Sequence, residues 1–333
     1  MRAYLLAALL ILSLIGPALA QDNQELSENL PVCIVSSTQG DCEIKRLNGD
    51  WRPVYWLDLV RPQDHLRTGT GGKIVVNFFF DDHLEIVDPD TEAEVAFKNM
   101  KKVSEMGSVR RDEARDRTRA TIDIPYIFLR KLKAKDFVLA EEPNAMEKEN
   151  LFLQAFVNNK AYPPVFQWGA VPGTMNYRIQ MFNEWDEFMH EWGTKDTRWK
   201  FPYKAPFQMQ KAGLYQWQVL TPGDDIVVRK YKFYVLTQLQ TKEVERAQKR
   251  FAELKRTKKI TRTHYADLFL LYNRLSMVDE RLHLLQEMSA IDPENPVIYR
   301  GLVRSYLDKS CPAHALEAHQ RELQLGGIDD IET

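Results

Sequence analysis

The motif Tyr265-x-x-Leu268-x-x-x-Tyr272 returns 34 residues later as Tyr299-x-x-Leu302-x-x-x-Tyr306. Over the same interval Ser276 returns as Ser310 and Leu282 as Leu316. Offsets of three and four place Tyr, Leu and Tyr on one helix face. Each copy therefore predicts an amphipathic helix that must bury this face on a second helix. Asp292-Pro293-Glu294-Asn295-Pro296 lies between the copies as a helix stop and restart. Thr241 is placed to cap an earlier helix running to about Lys255. The repeat commits residues 238–333 to all-α helical hairpins, with the four tyrosines expected in the core.

Upstream the period changes to two. In Tyr177-Arg178-Ile179-Gln180-Met181 the apolar side chains share a face. In Leu214-Tyr215-Gln216-Trp217-Gln218-Val219, Tyr, Trp and Val point one way and both Gln the other. Tyr231-Lys232-Phe233-Tyr234-Val235 repeats the alternation. Three such strands predict a β-sandwich with one wet side over residues 161–237. Residues 30–97 also read as strands, in short runs separated by Gly, Asp, Asn and Pro. Asn48-Gly49 predicts a type I′ hairpin. The expected order is a leader (1–20), a β domain with a charged insertion (21–142), a connector (143–160), the sandwich and the helices. Ile122–Phe128 and Asp136–Ala140 are candidate strands completing the first domain.

Three resemblances attach to these segments. Asp64-His65-Leu66-Arg67-Thr68-Gly69, Gly72-Lys73-Ile74-Val75-Val76-Asn77-Phe78 and Asp81-Asp82-His83-Leu84-Glu85-Ile86 together resemble the FecR-type periplasmic domain. Gln63 stands where that family carries Gly, and Asp82-His83 replaces its Gly-Ser. The succession Pro164-Val165-Phe166-Gln167-Trp168, Tyr177-x-Ile179 and Gly213-Leu214-Tyr215-x-Trp217-x-Val219 is similar to fibronectin type III and related immunoglobulin-like modules. The 34-residue period resembles the tetratricopeptide repeat. In that pattern Arg281 and Glu322 occupy positions that usually hold small packing residues. The implied fold class is a multidomain chain: an all-β FecR-like domain, an immunoglobulin-like β-sandwich and all-α helical hairpins.

Arg2, the uncharged run Tyr4–Ile15, Gly16-Pro17 and Ala18-Leu19-Ala20 form a secretory leader pattern, with cleavage expected after Ala20. The expected location is periplasmic or secreted. No later window predicts a transmembrane segment. A formal charge of −2 with 28% charged residues gives no single-sign field to attract nucleic acid. Cys33 and Cys42 flank a turn-rich loop between two β-like stretches. An oxidising compartment permits a disulfide there, and two free thiols are the alternative. Arg110 to Arg119 is a mixed-charge run whose Asp112, Glu113 and Asp116 cancel part of its field.

The sequence offers no catalytic, cofactor or metal motif. Gly69-Thr70-Gly71-Gly72-Lys73 lacks the leading Gly and trailing Ser/Thr of a phosphate loop and leads into a strand. No His-Glu-x-x-His occurs. His65, His83, Asp64, Asp81 and Asp82 lie on neighbouring expected turns, where Asp ordinarily caps its own backbone. The candidate ligand surface is aromatic: Trp185, Trp192, Trp199 and Tyr203, with Phe182, Phe188 and Phe201 in the same stretch. Exposed together, such rings stack on a sugar or a peptide; buried, they fill the sandwich core. The expected function is that of a non-enzymatic envelope protein, a ligand-binding or protein-interaction scaffold whose helical repeats take a protein or peptide. A periplasmic sensor related to FecR regulators and a glycan- or cell-wall-binding protein are the alternatives.

Overall fold

The computed structural model describes residues 30–112 except Asn48, then Pro125, Phe128, 132–133, 154–156, 164–202 except Gly169, 212–222, 227–327 except Ser310, and 331–332. The chain divides into two units, Met1–Ile124 and Pro125–Thr333.

The first unit holds β1 (Cys33–Gln39), β2 (Cys42–Lys45), β3 (Trp51–Pro53), β4 (Leu59–Val60), β5 (His65–Thr68), β6 (Lys73–Phe78), β7 (Leu84–Val87), β8 (Glu92–Val95), β9 (Met100–Lys102) and β10 (Val109–Arg111). They form two antiparallel five-stranded sheets, ordered β10-β7-β6-β1-β4 and β3-β2-β5-β8-β9. Alternation builds the core between them. Val35, Ile74, Val76, Phe78 and Val87 come from the first sheet, and Ile44, Leu66, Ala93 and Val95 from the second. Each of these apart from Ala93 contributes about 1.5–3 kcal/mol on burial. The half-exposed Arg67–Glu43 ion pair at 2.5 Å lies within the second sheet and adds about 0–1 kcal/mol there. Packing therefore joins the sheets.

The structure bears on three local expectations. First, Asn48 lies outside the described residues, and Lys45 pairs with Trp51, so the connection is a five-residue loop rather than a two-residue hairpin. The Gly49 N–H closes it on the Arg46 carbonyl at 2.9 Å. Secondly, Cys33 and Cys42 are free, buried thiols. The strand after the turn joins the other sheet instead of pairing back on β1. Cys42 Sγ contacts the Gln39 carbonyl at 3.1 Å, at the far end of β1 from Cys33, about 20 Å away at roughly 3.3 Å per residue. A bridge needs Cα atoms within about 7 Å. Burial raises the pKa of both thiols. Thirdly, the chain divides into its two units between 124 and 125, and Phe128 packs on Phe269 of the helical segment. The rest of Ile122–Phe128 and all of Asp136–Ala140 lie outside the described residues.

Gln63 (φ 67°) and Asp82 (φ 56°) both have left-handed backbone. These are the two positions at which the FecR pattern carries glycine.

In the second unit, β11 (Leu132–Lys133) pairs in parallel with β19 (Ile331–Glu332). The sandwich comprises β12 (Gln154–Phe156), β13 (Val165–Gln167), β14 (Tyr177–Phe182), β15 (Phe188–Thr194), β16 (Arg198–Lys200), β17 (Gly213–Leu220) and β18 (Val227–Val235). One sheet runs β12-β18-β17-β14-β15; the other is β13-β16. As the alternation predicts, Tyr177, Ile179, Met181, Tyr215, Trp217, Val219, Phe233 and Val235 share one core. Tyr215 lies there stacked on Phe233, with centroids 5.6 Å apart.

The helices are α1 (Gln238–Arg256), α2 (Arg262–Arg274), α3 (Val278–Ile291), α4 (Pro296–Asp308) and α5 (Pro312–Gln324). Thr237, not Thr241, caps α1. Thr237 Oγ1 accepts the Gln240 N–H at 3.2 Å and Gln240 Oε1 accepts the Thr237 N–H at 2.9 Å, whereas Thr241 is buried one turn in. Asn295 caps α4 by accepting from the Val297 N–H at 3.0 Å, and Pro296 opens the helix where no N–H is needed. Tyr265, Leu268, Tyr272 and Leu302 are buried, but Tyr299 and Tyr306 of the second copy, expected in the core, are only half-buried. Where the repeat pattern expects small residues, the chain instead encloses ions. Arg281 meets Asp308 at 2.5 Å, both buried, and Arg300 meets the enclosed Glu322 at 2.7 Å.

Candidate ligand surface

The loop between β14 and β15 is organised by one side chain. Asn183 Oδ1 accepts from the Trp185 N–H at 3.1 Å and the Glu187 N–H at 2.9 Å. Its amide donates to Glu187 Oε2 at 2.7 Å. Asp186 takes left-handed backbone (φ 62°), which short polar residues tolerate best after glycine, and its carboxylate accepts from Gln216 Nε2 on β17. With its own polar groups satisfied, the loop presents Trp185 72% exposed and Phe188 60% exposed. Phe182 supports Phe188 edge-to-face at 6.0 Å. Glu184, Asp186 and Glu187 give the same loop three acidic residues.

A polar ladder crosses the outer face of the same sheet. Gln218 donates to Gln180 Oε1 at 2.6 Å, Gln180 donates to Glu191 Oε2 at 2.7 Å, and Arg178 lies 3.7 Å from Glu191. This is the wet side expected from the alternation.

The structure separates the aromatic residues that the sequence groups together. Trp192 is the cross-strand partner of Ile179, so it points inward and packs on Trp199 at 5.0 Å. Trp199 in turn stacks on Phe166 at 5.7 Å. Both are half-buried against the core, and Phe201 is buried beside them. Tyr203 lies outside the described residues. Trp185 stands apart with Phe188. Sequence reasoning missed Asn183 as the residue that shapes the loop, although Asn opening a short polar turn is a readable signal.

In the first unit the expected His/Asp turns do not converge. His65 pairs with Glu92 at 3.0 Å and Asp64 with Arg46. His83 lies between Asp81 and Glu85 (Oε1 at 3.3 Å), stacked on Phe78 at 4.6 Å. Burial works to lower the His83 pKa, but the hydrogen bonds to Glu85 and Asp81 and the Asp81 charge raise it overall. Among the described residues no group of three or more His, Cys, Asp or Glu is placed to hold a metal. Gly69–Lys73 closes a turn, with the Gly72 N–H on the Gly69 carbonyl at 2.8 Å, and leads into β6. Arg110 and Arg111 of the mixed-charge run pair with Asp88 and Asp81, both at 3.0 Å. No helix among the described residues is long and apolar enough to cross a membrane.

Neither a protein-family model nor a curated protein matches the chain.

Proposed function

We propose that this chain is an exported, non-catalytic envelope protein that holds a protein partner at the β14–β15 loop. The exposed Trp185–Phe188 pair on an internally bonded loop carries this reading. Ordered aromatic anchors contribute binding energy at small entropic cost, and the loop's three acidic residues suit a basic partner surface. The leader supports export. Strand order β12-β18-β17-β14-β15 over β13-β16 supports an immunoglobulin-like sandwich. Left-handed backbone at Gln63 and Asp82 supports the FecR-type reading of the first unit, and the helix pairs divided at Asp292–Asn295 support the tetratricopeptide-like one.

Cross-linking in periplasm with wild-type protein and W185A/F188S tests this. A partner captured by the wild type and lost from the variant is expected. Capture that is undiminished in the variant refutes the loop as the contact. The glycan reading is favoured by one observation, the exposed Trp185 on a sheet whose outer face also carries the Gln218–Gln180–Glu191 ladder. Co-sedimentation with peptidoglycan that depends on Trp185 would select it over the protein partner.

A further inference from the structure

The outer strand of a sheet carries backbone groups that no neighbour satisfies, and proteins blunt such edges by keeping them short or by placing basic residues or Pro on them. Among the described residues this chain does so at every edge but one. β3 is three residues long and ends in Pro53, β9 carries Lys101 and Lys102, β10 carries Arg110 and Arg111, and β16 carries Arg198 and Lys200. β4, β11, β12, β13 and β19 have only two or three residues each. β15, the last strand of the five-stranded sheet of the sandwich, differs. It is seven residues long and contains no Lys, Arg or Pro. The direction of its backbone follows from the hairpin. The Asn183 N–H donates to the Glu187 carbonyl at 3.1 Å, which sets the phase of the β14–β15 ladder, and Met189 is the extra residue at the bulge. Antiparallel partners alternate between bonded and non-bonded pairs. Beyond the bulge Ile179–Trp192 is therefore a bonded pair, whereas Gln180–Glu191 and Arg178–Gly193 are not. The N–H and C=O of Glu191 and of Gly193 thus point away from β14, past the edge of the sheet. Gly193 is exposed, and a Cβ on it would meet nothing within 4 Å.

We propose that β15 is a docking edge, which takes an extended basic segment of a partner as an added strand. The inference rests on the reading of Trp185 and Phe188 as anchors and adds how the partner is held. Phe188 is both an exposed ring of that pair and the first residue of β15, so a segment anchored there continues along the strand. Main-chain hydrogen bonds to Glu191 and Gly193 supply the affinity that any extended segment can gain, and side chains select among segments. Charge makes the selection. Between residues 184 and 196, Glu184, Asp186, Glu187, Glu191 and Asp196 outnumber Lys195. A second copy of the chain would bring the same excess to the same edge, whereas a basic segment complements it.

The test uses the full-length chain and a short fluorescein-labelled peptide of alternating valine and lysine, followed by anisotropy. G193A keeps the outward N–H and puts its methyl group into open space, so it should bind the peptide as wild type does. G193P removes that N–H, a change that an edge strand tolerates, and should weaken binding by about tenfold. W185A/F188S should weaken it as well. Loss in W185A/F188S with equal binding by G193P and G193A overturns the added strand and leaves the loop reading standing. Loss in G193P with none in W185A/F188S supports the added strand and removes the loop anchors. Hydrogen exchange on the wild-type chain gives the same answer if G193P loses its β-sheet circular dichroism: the Glu191 and Gly193 amides should slow when the peptide is added, and unchanged exchange there overturns the proposal. Equal binding of a valine–glutamate peptide overturns the basic occupant, and absence of any binding to wild type overturns the site. Wild-type dimers that G193P abolishes would assign the edge to a second copy, and would overturn the partner named here.

Discussion

Several residues act against their own preferences and show where the fold makes demands. Gln63 and Asp82 hold left-handed backbone at a cost of about 1 kcal/mol relative to glycine. Asp82 recovers part of this by accepting from Asn77 Nδ2 at 3.0 Å. His83 has a more conditional effect. Its pKa in the folded state lies above the ordinary 6.5, so the fold binds the proton more tightly than the unfolded chain does. The stabilisation is complete below that ordinary value and is lost as pH rises through the higher folded value. The Asp81 pKa is lowered, despite the opposing effect of burial, by its bonds to His83 and Arg111. Its contribution holds above the ordinary 3.8 and is lost as pH falls. The urea midpoint of the first unit should therefore be higher at about pH 5.5 than at about pH 8.5. H83Q should remove most of that difference, and an unchanged pH dependence in H83Q would show that the imidazole does not carry it. The sequence shows a His with Asp81 and Glu85 two residues to either side. It does not show that a stacked Phe78 encloses the ring and makes those carboxylates count.

Among elements, the helical hairpins were the most legible part, because the 34-residue spacing records both helix face and turn position. Their substitutions at packing positions were legible only as departures. Asp308 lies 27 residues from Arg281, and no local rule connects them. Removing Arg281 leaves Asp308 enclosed without its cation, so R281A should cost about 3–5 kcal/mol. Replacing both with apolar residues of similar volume, as in R281M/D308L, should bring most of this back. Chemical denaturation of the two variants checks the pair, and equal losses in both would assign the effect to packing alone. The strands of the sandwich were legible because a one-sided sheet alternates visibly. The aromatic stretch was not. Trp192 is placed inward by its register opposite Ile179, and Trp185 outward by the Asn183 turn. Spacing along the chain distinguishes neither.

For the whole molecule, the unit boundary follows tertiary contact rather than composition. The Ala155 N–H donates to the Ser276 carbonyl at 2.9 Å, so a strand of the sandwich is fastened to the α2–α3 turn, and the sandwich and helices form one unit. Calorimetry should then show two transitions, with H83Q moving one and R281A the other. A separate third transition for the helices would contradict the shared unit. The polar connector expected at 143–160 gave no hint of this, since a backbone hydrogen bond has no side-chain signature.

The two enclosed thiols of the first unit have a practical meaning. Cys33 and Cys42 lie in a core that already closes around them without any covalent tie. The unit owes nothing to an oxidant or a disulfide isomerase. It should assemble equally well in reducing and in oxidising surroundings.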